Sequence, residues 1–300
     1  MQPCCVQFLR CPACQRQMSL LARSMICSGG HTFDIARQGY LNLLLRRGNL
    51  RQPTGDTREM LEARRRFLEA GHFLPLVNAI NHAAIAHLAS HRSTRDRSTY
   101  ILDSGCGEGY YLSQLAGALS QAFRSYQPCY FGVDVAKAAA RLASGQHHAL
   151  NFIVSDIRST IPLEPGSAAL ILDVFAPRNV QEFTRLIAEN GLLIVVIPAP
   201  DHLVELRQRH DLRGLGIREE KETQVLTDLS TTFEIRWRRS VQFQLFLSTQ
   251  GLTDLVAMTP AARHLTEPDT KRITGEPPPP VTAGFTVLAF HQRGKAFDSP

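Results

Sequence analysis

The clearest chemical signal in this chain is the glycine-rich segment Asp103-Ser104-Gly105-Cys106-Gly107-Glu108-Gly109. It lies between a predicted strand and a predicted helix, where a doubly wound sheet binds its ligand. Alternate glycines let the backbone turn sharply and approach a ligand closely. A dinucleotide fingerprint needs glycine where this chain has Tyr110, and the acid Glu108 inside the loop suits a cationic ligand better than a diphosphate. The segment therefore favours a cationic ligand in an α/β sheet.

Three further acids accompany the strands that follow the loop. Asp134 closes the second predicted strand, Asp156 ends the third, and Asp173 lies in the fourth. Because ligands of such sheets bind at the carboxyl ends of the strands, we expect these side chains near the loop. Asp134 would accept hydrogen bonds from ribose hydroxyls, a role shared with nicotinamide-binding folds. Asp173 would lie near the entry of the substrate.

The pattern Asp-x-Gly-x-Gly-x-Gly at 103–109 resembles the first motif of Rossmann-like methyltransferases. That resemblance implies a site for the amino-acid end of S-adenosyl-L-methionine, which carries an ammonium and a sulfonium. It also implies that Asp156 holds the adenine amine. The loop residues that would bind the donor are Asp103, Gly105, Gly107, Glu108 and Gly109.

A second group of reactive side chains follows the spacing Cys-x2-Cys-x12-Cys-x3-His and comprises Cys11, Cys14, Cys27 and His31. Zinc prefers four tetrahedral thiolate and imidazole ligands, and a closed set of four predicts one structural rather than catalytic ion. A module this small would draw part of its folding free energy from the metal. Cys4 and Cys5 could compete for the site, but adjacent residues fit one tetrahedral centre poorly.

The net charge of +6 is concentrated at the start of the chain. Residues 1–70 hold eleven arginines and five acids, whereas the remainder is balanced. This asymmetry suits a polyanion, because arginine and phosphate form charge-assisted hydrogen bonds. A solvated basic face without a partner is equally compatible with the charge alone.

Composition and patterning indicate a folded protein outside the membrane. With 44% hydrophobic and 20% charged residues, the chain does not read as disordered. The longest strongly apolar run, 191–197, is too short to span a bilayer, and no secretory signal is visible. We therefore expect a soluble, cytoplasmic protein. In that compartment a disulfide framework for the seven cysteines fits poorly.

The segments that must position these residues alternate between strand and helix. After predicted helices at 57–70 and 74–88, short apolar runs from residue 99 alternate with helical patterns, which predicts a parallel sheet. Asp56 and Glu59 resemble a helix-start capping arrangement. Two late strands, 231–246 and 284–291, would form a closing antiparallel hairpin across a rigid loop at 277–280.

We predict an α/β fold: a Rossmann-like seven-stranded methyltransferase sheet with a small N-terminal zinc-binding module. The expected domains are a zinc-binding RNA-recognition module at 1–50 and an S-adenosylmethionine-dependent methyltransferase domain at 51–300.

Longer stretches also resemble a known family, over most of the chain. The stretches are Cys11-Pro12-x-Cys14, Cys27, His31-x-Phe33-Asp34, 39–44, Gly55-Asp56, 60–73, 103–111, 132–137, Phe175-Ala176-Pro177 and Pro200-x-His202-Leu203-x-Glu205-Leu206. Together they resemble the bacterial 23S rRNA guanine-N1-methyltransferase family (RlmA-like, including macrolide-resistance relatives). The resemblance implies that Phe73 packs near the donor with His202 beside it, and that the partner is a 23S rRNA hairpin. It leaves a homodimer open.

The chemistry of guanine N1 adds one further requirement. N1 carries a weakly acidic proton on the pairing edge, so the base must lie in a loop or be flipped out. Asp173 is the candidate proton acceptor, and bulk solvent after a carbonyl-polarised attack is the alternative.

Other functions account for only some of these sequence features. A methyltransferase for another RNA, a protein or a small molecule keeps the loop but leaves the basic zinc module unexplained. A non-catalytic zinc-containing RNA-binding protein would not bind the donor, and Tyr110 disfavours a nicotinamide oxidoreductase. The run Arg64-Arg65-Arg66 is either a solvated helix face or a phosphate-contacting strip.

Overall fold

A computed structural model describes residues 1–45, 55–91, 99–210, 220–259, 262 and 280–294 of the 300-residue chain. The predicted loops at 91–98 and 277–280 fall outside these ranges except for their end residues. Within the described ranges, no helix combines the length and apolar character needed to cross a bilayer.

The N-terminal region is built from short elements around a three-stranded antiparallel sheet. A fourth short strand of this region pairs in parallel with a strand of the main sheet. The elements are the 3-10 helix η1 (Pro3–Phe8), β1 (Met18–Leu21), β2 (Ser24–Cys27), β3 (Thr32–Asp34) and β4 (Leu41–Asn42).

An eight-stranded sheet of order β10-β11-β9-β8-β5-β6-β7-β4 forms the body of the protein. Its strands are parallel except at β11, which runs antiparallel to both β9 and β10. The predicted seven-stranded sheet with its closing hairpin is confirmed, and β4 adds an eighth strand from the N-terminal region. The other strands are β5 (Tyr100–Ser104), β6 (Cys129–Asp134), β7 (Asn151–Val154), β8 (Ala168–Val174), β9 (Ile187–Pro198), β10 (Phe233–Leu245) and β11 (Val281–Gln292).

Helices accompany the sheet. They are α1 (Arg58–Glu69), α2 (Leu74–Ser90), α3 (Tyr110–Ala122), α4 (Lys137–Gln146), α5 (Val180–Leu186), α6 (Val204–His210), α7 (Lys221–Leu229) and α8 (Thr249–Ala257). The two helices predicted before the sheet are present, but the predicted capping arrangement is wrong. Thr57 caps α1, and its hydroxyl accepts a hydrogen bond from the N–H of Met60 at 3.3 Å. Asp56 is instead paired with Arg64.

The N-terminal region packs directly on the main sheet. Phe8 lies edge-on to Tyr100, with 5.2 Å between ring centroids, and a disulfide joins Cys5 of η1 to Cys129 of β6. The expectation that disulfides are absent is wrong for this pair. Residues 124 apart in sequence have Cα atoms 5.5 Å apart here, a separation within the disulfide range that no spacing rule reveals. The boundary near residue 50 lies outside the described residues, and the division into two domains stays a prediction.

Three histidines meet where the end of α2 packs near β11. His87 stacks on His91 with ring centroids 4.5 Å apart and lies 5.3 Å from His291. Burial, reinforced by the charges of its two neighbours and of Arg236, lowers the pKa of His87 to about 3. His87 therefore resists protonation while the chain is folded.

We expect His87→Gln to weaken the acid sensitivity of folding. Because the folded pKa of His87 lies below the ordinary 6.5, the unfolded chain takes up the proton first, and the free energy of unfolding falls as the pH drops through that value. Urea unfolding midpoints above and below pH 6.5 should therefore differ less in the variant than in the wild type. Replacement of the exposed His82 by Gln is the matched control, and equal pH dependence in all three proteins would contradict the prediction.

Candidate active site and metal centre

The glycine loop joins β5 to α3 at the carboxyl edge of the sheet. Gly105 and Gly109 have φ values of +82° and +84°. A Cβ atom at Gly105 would lie 2.5 Å from the Cβ of Ala176, and one at Gly109 would lie 2.8 Å from the Phe152 ring. Backbone conformation and close contact both require glycine at these two positions. The loop thus lies tight against β7 and the segment after β8.

Asp103 provides a buried carboxyl group at the start of this loop. Its side chain is 1% exposed, and its Oδ2 accepts no hydrogen bond from the described residues. Burial raises the pKa of Asp103 well above its ordinary value, and the charges of Glu108, Asp134 and Asp173 raise it further. The structure therefore brings four of the predicted acids into one electrostatic group. A cationic ligand would relieve both the burial and the mutual repulsion.

Glu108 is almost fully buried and faces a basic partner from α1. Its Oε2 lies 3.9 Å from Nη1 of Arg64, whose Nη2 also donates a 2.6 Å hydrogen bond to Asp56. Burial raises the pKa of Glu108 to about 7, against the opposing effect of the Arg64 charge. Arg64 therefore belongs to the loop's surroundings, a role that the run of arginines did not reveal.

The rest of that arginine run is also engaged within the chain. Arg66 donates from Nε and Nη2 to the carboxylate of Asp254, with a shortest distance of 2.6 Å. Arg65 lies 3.9 Å from Glu69. Intramolecular carboxylates thus engage all three arginines, and the side chain of Arg66 remains 52% exposed. The solvated face and the phosphate-contacting strip both stay predictions.

Asp134 holds the loop from the end of β6. Its Oδ2 accepts a hydrogen bond from the N–H of Gly107 at 3.0 Å, and its Oδ1 accepts one from the N–H of Ala136 at 2.8 Å. Each oxygen keeps a second lone pair, so the carboxylate can still accept hydrogen bonds from hydroxyl groups. A side chain predicted only as a ligand contact thus also positions the loop.

Asp156 follows β7 and makes a local pair. Its Oδ1 accepts hydrogen bonds from the backbone N–H and Nε of Arg158, both at 3.0 Å, and its Oδ2 accepts one from Nη2 at 3.1 Å. Its role toward an adenine stays a prediction.

Asp173 is completely buried in β8. The guanidinium of Arg178 lies 3.9 Å from its Oδ2. Burial raises the pKa of Asp173 to about 7, although the Arg178 charge opposes the rise. Such a group can exchange a proton near neutral pH, but it has no exposed surface of its own.

A row of aromatic rings links the remaining predicted residues to the loop region. Phe73 lies 5.0 Å from Phe285, Phe285 lies 5.4 Å from Phe175, and Phe175 lies 6.3 Å from Tyr111 of α3. His202 packs on Phe285 at 4.7 Å and lies 6.3 Å from Phe73. Phe73 is only 3% exposed. The predicted pair Phe73 and His202 is therefore brought together inside this row.

Phe175 is the exposed end of the row and was missed at the sequence level as a site residue. It follows Asp173 by two positions, is 42% exposed, and has a φ of +57°. That conformation is unfavourable for a bulky residue. The Phe175-Ala176-Pro177 segment marked the family resemblance, but neither the strained backbone nor the ring contacts can be inferred from it.

The predicted metal ligands form one compact group. Cys11, Cys14, Cys27 and His31 place their ligand atoms within 4.8 Å of one another. Sγ of Cys14 and Sγ of Cys27 are 3.6 Å apart, and Nδ1 of His31 lies 3.4 Å from the latter. Tetrahedral ligands about 2.0–2.3 Å from a zinc ion would be roughly 3.3–3.8 Å apart. The four side chains therefore fit a structural zinc.

Comparison with known proteins agrees with this geometry. A family model for the N-terminal zinc ribbon of RlmA matches residues 9–45. The chain is 36% identical over 259 residues to a 23S rRNA (guanine(748)-N(1))-methyltransferase of Streptomyces fradiae, covering 86% of this chain and 87% of that protein. This protein belongs to the 23S rRNA guanine-N1-methyltransferase family.

Two further similarities are consistent with that membership. A relative from Micromonospora griseorubida, named for the same class of rRNA methylation, is 35% identical over 277 residues, covering 88% of this methyltransferase and 90% of the relative. The solved loganic acid methyltransferase with SAH covers 81% of this chain and 99% of its own, with a TM-score of 0.53 and 10% identity. This last likeness concerns the fold alone and confirms the predicted class.

We expect this methyltransferase, with its Cys5–Cys129 disulfide intact, to carry one zinc ion per chain. Cys14→Ser should lose that zinc and unfold at a lower temperature, because binding free energy at such a site is folding free energy. Metal analysis by mass spectrometry and thermal unfolding check both effects. Cys106→Ser removes a thiol outside the zinc group and is the control. Full zinc content in Cys14→Ser would contradict the assignment.

Proposed function

We propose that this methyltransferase transfers a methyl group from S-adenosyl-L-methionine to N1 of a guanosine in a hairpin loop of 23S rRNA. The single observation that carries the proposal is the buried acidic group around Asp103 at a glycine loop, in a chain of this family. A second feature supports it: the same chain presents a basic zinc module, which a small-molecule methyltransferase would not need.

The donor site follows from charge and close contact. The ammonium of the donor would lie against the unpaired Oδ2 of Asp103, and the backbone of Gly105, Gly107 and Gly109 would approach its amino-acid end. The negative charge of Glu108 would favour the cationic donor, although Arg64 offsets part of it. Asp134 would accept hydrogen bonds from the ribose hydroxyls. Further donor contacts are proposed for Phe73, Asp156 and His202.

The acceptor side is proposed at Phe175 and Asp173. The exposed Phe175 ring would stack on the flat face of the guanine, held from behind by Phe285 and Tyr111. As the N1 lone pair attacks the sulfonium methyl, the N1 proton would pass to Asp173, whose pKa of about 7 suits a general base near neutral pH. Because the Asp173 carboxylate is fully buried, the guanine can reach it only if the residues that cover it move aside. Proton release to solvent is the alternative.

The zinc module at residues 1–50 is proposed to bind the RNA. Arg16, Arg23 and Arg37 are exposed there and would contact phosphates, which position an RNA without reading its sequence. Arg10 is already paired with Glu164. A hairpin presents unpaired bases and fits the need for an accessible N1. The homodimer and the cytoplasmic location stay predictions.

Mapping of methylated guanosines in 23S rRNA tests the proposed reaction. Cells that make the wild-type protein should gain one N1-methylguanosine that is absent from cells lacking it and from cells making Asp103→Asn. Tritium from labelled donor should enter ribosomal RNA and not a protein extract. Label in protein alone, or an unchanged guanosine map, would overturn the RNA assignment. Calorimetry that shows no donor binding would favour the non-catalytic alternative.

Replacement of Phe175 tests the base-stacking role. Stacking of a base on an aromatic ring contributes about 1–3 kcal/mol, so Phe175→Ala should lower kcat/KM for the RNA roughly 5- to 150-fold. Phe175→Tyr should keep most of the activity, and the Kd for the donor should stay constant in both variants. An equal loss of kcat/KM in both variants would contradict the stacking role. A higher Kd for the donor in Phe175→Ala would show that the ring supports the donor site instead.

A further inference from the structure

Three cysteines outside the zinc ribbon converge at a second place. Cys4 and Cys5 lie in η1, and Cys129 begins β6. Their sulfur atoms all lie within 4.8 Å of one another. Cys5 and Cys129 form a disulfide, whereas Cys4 is an exposed free thiol. Neither the donor site nor the zinc ribbon uses these residues.

We propose that Cys4, Cys5 and Cys129, once reduced, bind a soft, thiophilic metal ion and form a second metal centre. Thiolates select soft or borderline ions such as Cu(I) and zinc over hard, oxygen-seeking ions. In the described part of the chain this group offers three sulfur ligands and no carboxylate.

The sulfur geometry supports this assignment. Sγ of Cys4 lies 3.8 Å from Sγ of Cys5, close to the roughly 3.8 Å that separates two thiolates on a tetrahedral ion with bonds of about 2.3 Å. Adjacent cysteines were expected to fit one tetrahedral centre poorly, but in η1 the two sulfur atoms lie close enough to share an ion. The exposed Cys4 leaves the centre open to solvent on one side, where a further ligand can enter.

The backbone around the three cysteines is already fixed in place. The N–H of Gln2 donates a 2.8 Å hydrogen bond to Oδ1 of Asn151 in β7, and Phe8 at the other end of η1 packs on Tyr100. Cys129 is held by the pairing of β6 with β5. The ligands therefore need only side-chain rotation, not folding, to close around an ion, which lowers the entropic cost of binding.

The proposed ion and the Cys5–Cys129 disulfide cannot be present at the same time, because both use the same two sulfur atoms. Reduction by a cellular dithiol transfers two electrons and two protons to the Cys5–Cys129 bond, yielding two thiols and the oxidised dithiol. The incoming ion then displaces protons from the three thiols. In a reducing compartment the ion would thus replace the disulfide as the link between η1 and β6. A small-molecule disulfide that accepts the two electrons and is itself reduced to thiols would restore the Cys5–Cys129 bond and release the ion.

Metal counting on the full-length protein tests the second centre. Protein reduced with a water-soluble phosphine under nitrogen is incubated with excess Cd²⁺, passed through gel filtration, and analysed for total zinc plus cadmium. Reduced wild type should hold two ions per chain, and oxidised wild type should hold one. Cys4→Ser changes an exposed side chain, so it should fold normally and hold one ion when reduced. Cys106→Ser should hold two.

A second readout measures the proposed link. Cd²⁺ should raise the thermal unfolding midpoint of zinc-loaded, reduced wild type but not that of Cys4→Ser, and thiolate-to-cadmium charge-transfer absorption should fall in the variant. One ion per chain in reduced wild type, or two ions in reduced Cys4→Ser, would overturn the three-thiol centre. Equal thermal shifts in both proteins would overturn the linking role.

Discussion

The site depends on one constraint: a carboxylate, Asp103, is buried at the carboxyl edge of a parallel sheet among other acids. Burial of a charged group without a partner costs free energy. The neighbouring acids in this group have partners that reduce this cost. Arg64 from α1 lies against Glu108, while the N–H groups of Gly107 and Ala136 satisfy Asp134. The glycines bring the backbone close enough for these contacts. Oδ2 of Asp103 is among the oxygens that accept no hydrogen bond from the described residues, and it is the position proposed for the cationic group of the donor.

The N-terminal region is built into the same architecture. Strand β4 extends the main sheet next to β7, Phe8 packs against Tyr100, and Cys5 is joined to Cys129 at the start of β6. Strand β6 ends at Asp134, beside the glycine loop. The N-terminal region, which holds the zinc ligands, is thus attached to β6, whose Asp134 positions the glycine loop. This attachment suits a protein that must bind an RNA and present one base to a methyl donor.

Strand and helix assignments were largely predictable, for identifiable reasons. Parallel strands buried on both faces appear as short apolar runs, as in β5, β8 and β9. The helix start at Thr57 was misjudged because Asp56 looked like the cap while its carboxylate is taken by Arg64, a partner eight residues away. The disulfide was missed because Cys5 and Cys129 are far apart in sequence and meet only when η1 packs on the sheet.

The sequence alone predicted the glycine-rich loop, the four zinc ligands and the class of sheet. Each of these depends on a local property of the chain: the positions of glycines, the spacing of cysteines and histidine, and the hydrophobic periodicity. Tertiary structure decided which acids share one electrostatic field. Asp103, Glu108, Asp134 and Asp173 do, whereas Asp156 accepts hydrogen bonds from Arg158 in its own loop. It also decided that Phe175 is exposed on a strained turn and that Cys4 lies beside Cys5 and Cys129. These properties arise from contacts between distant segments, and a pattern along the chain does not contain them.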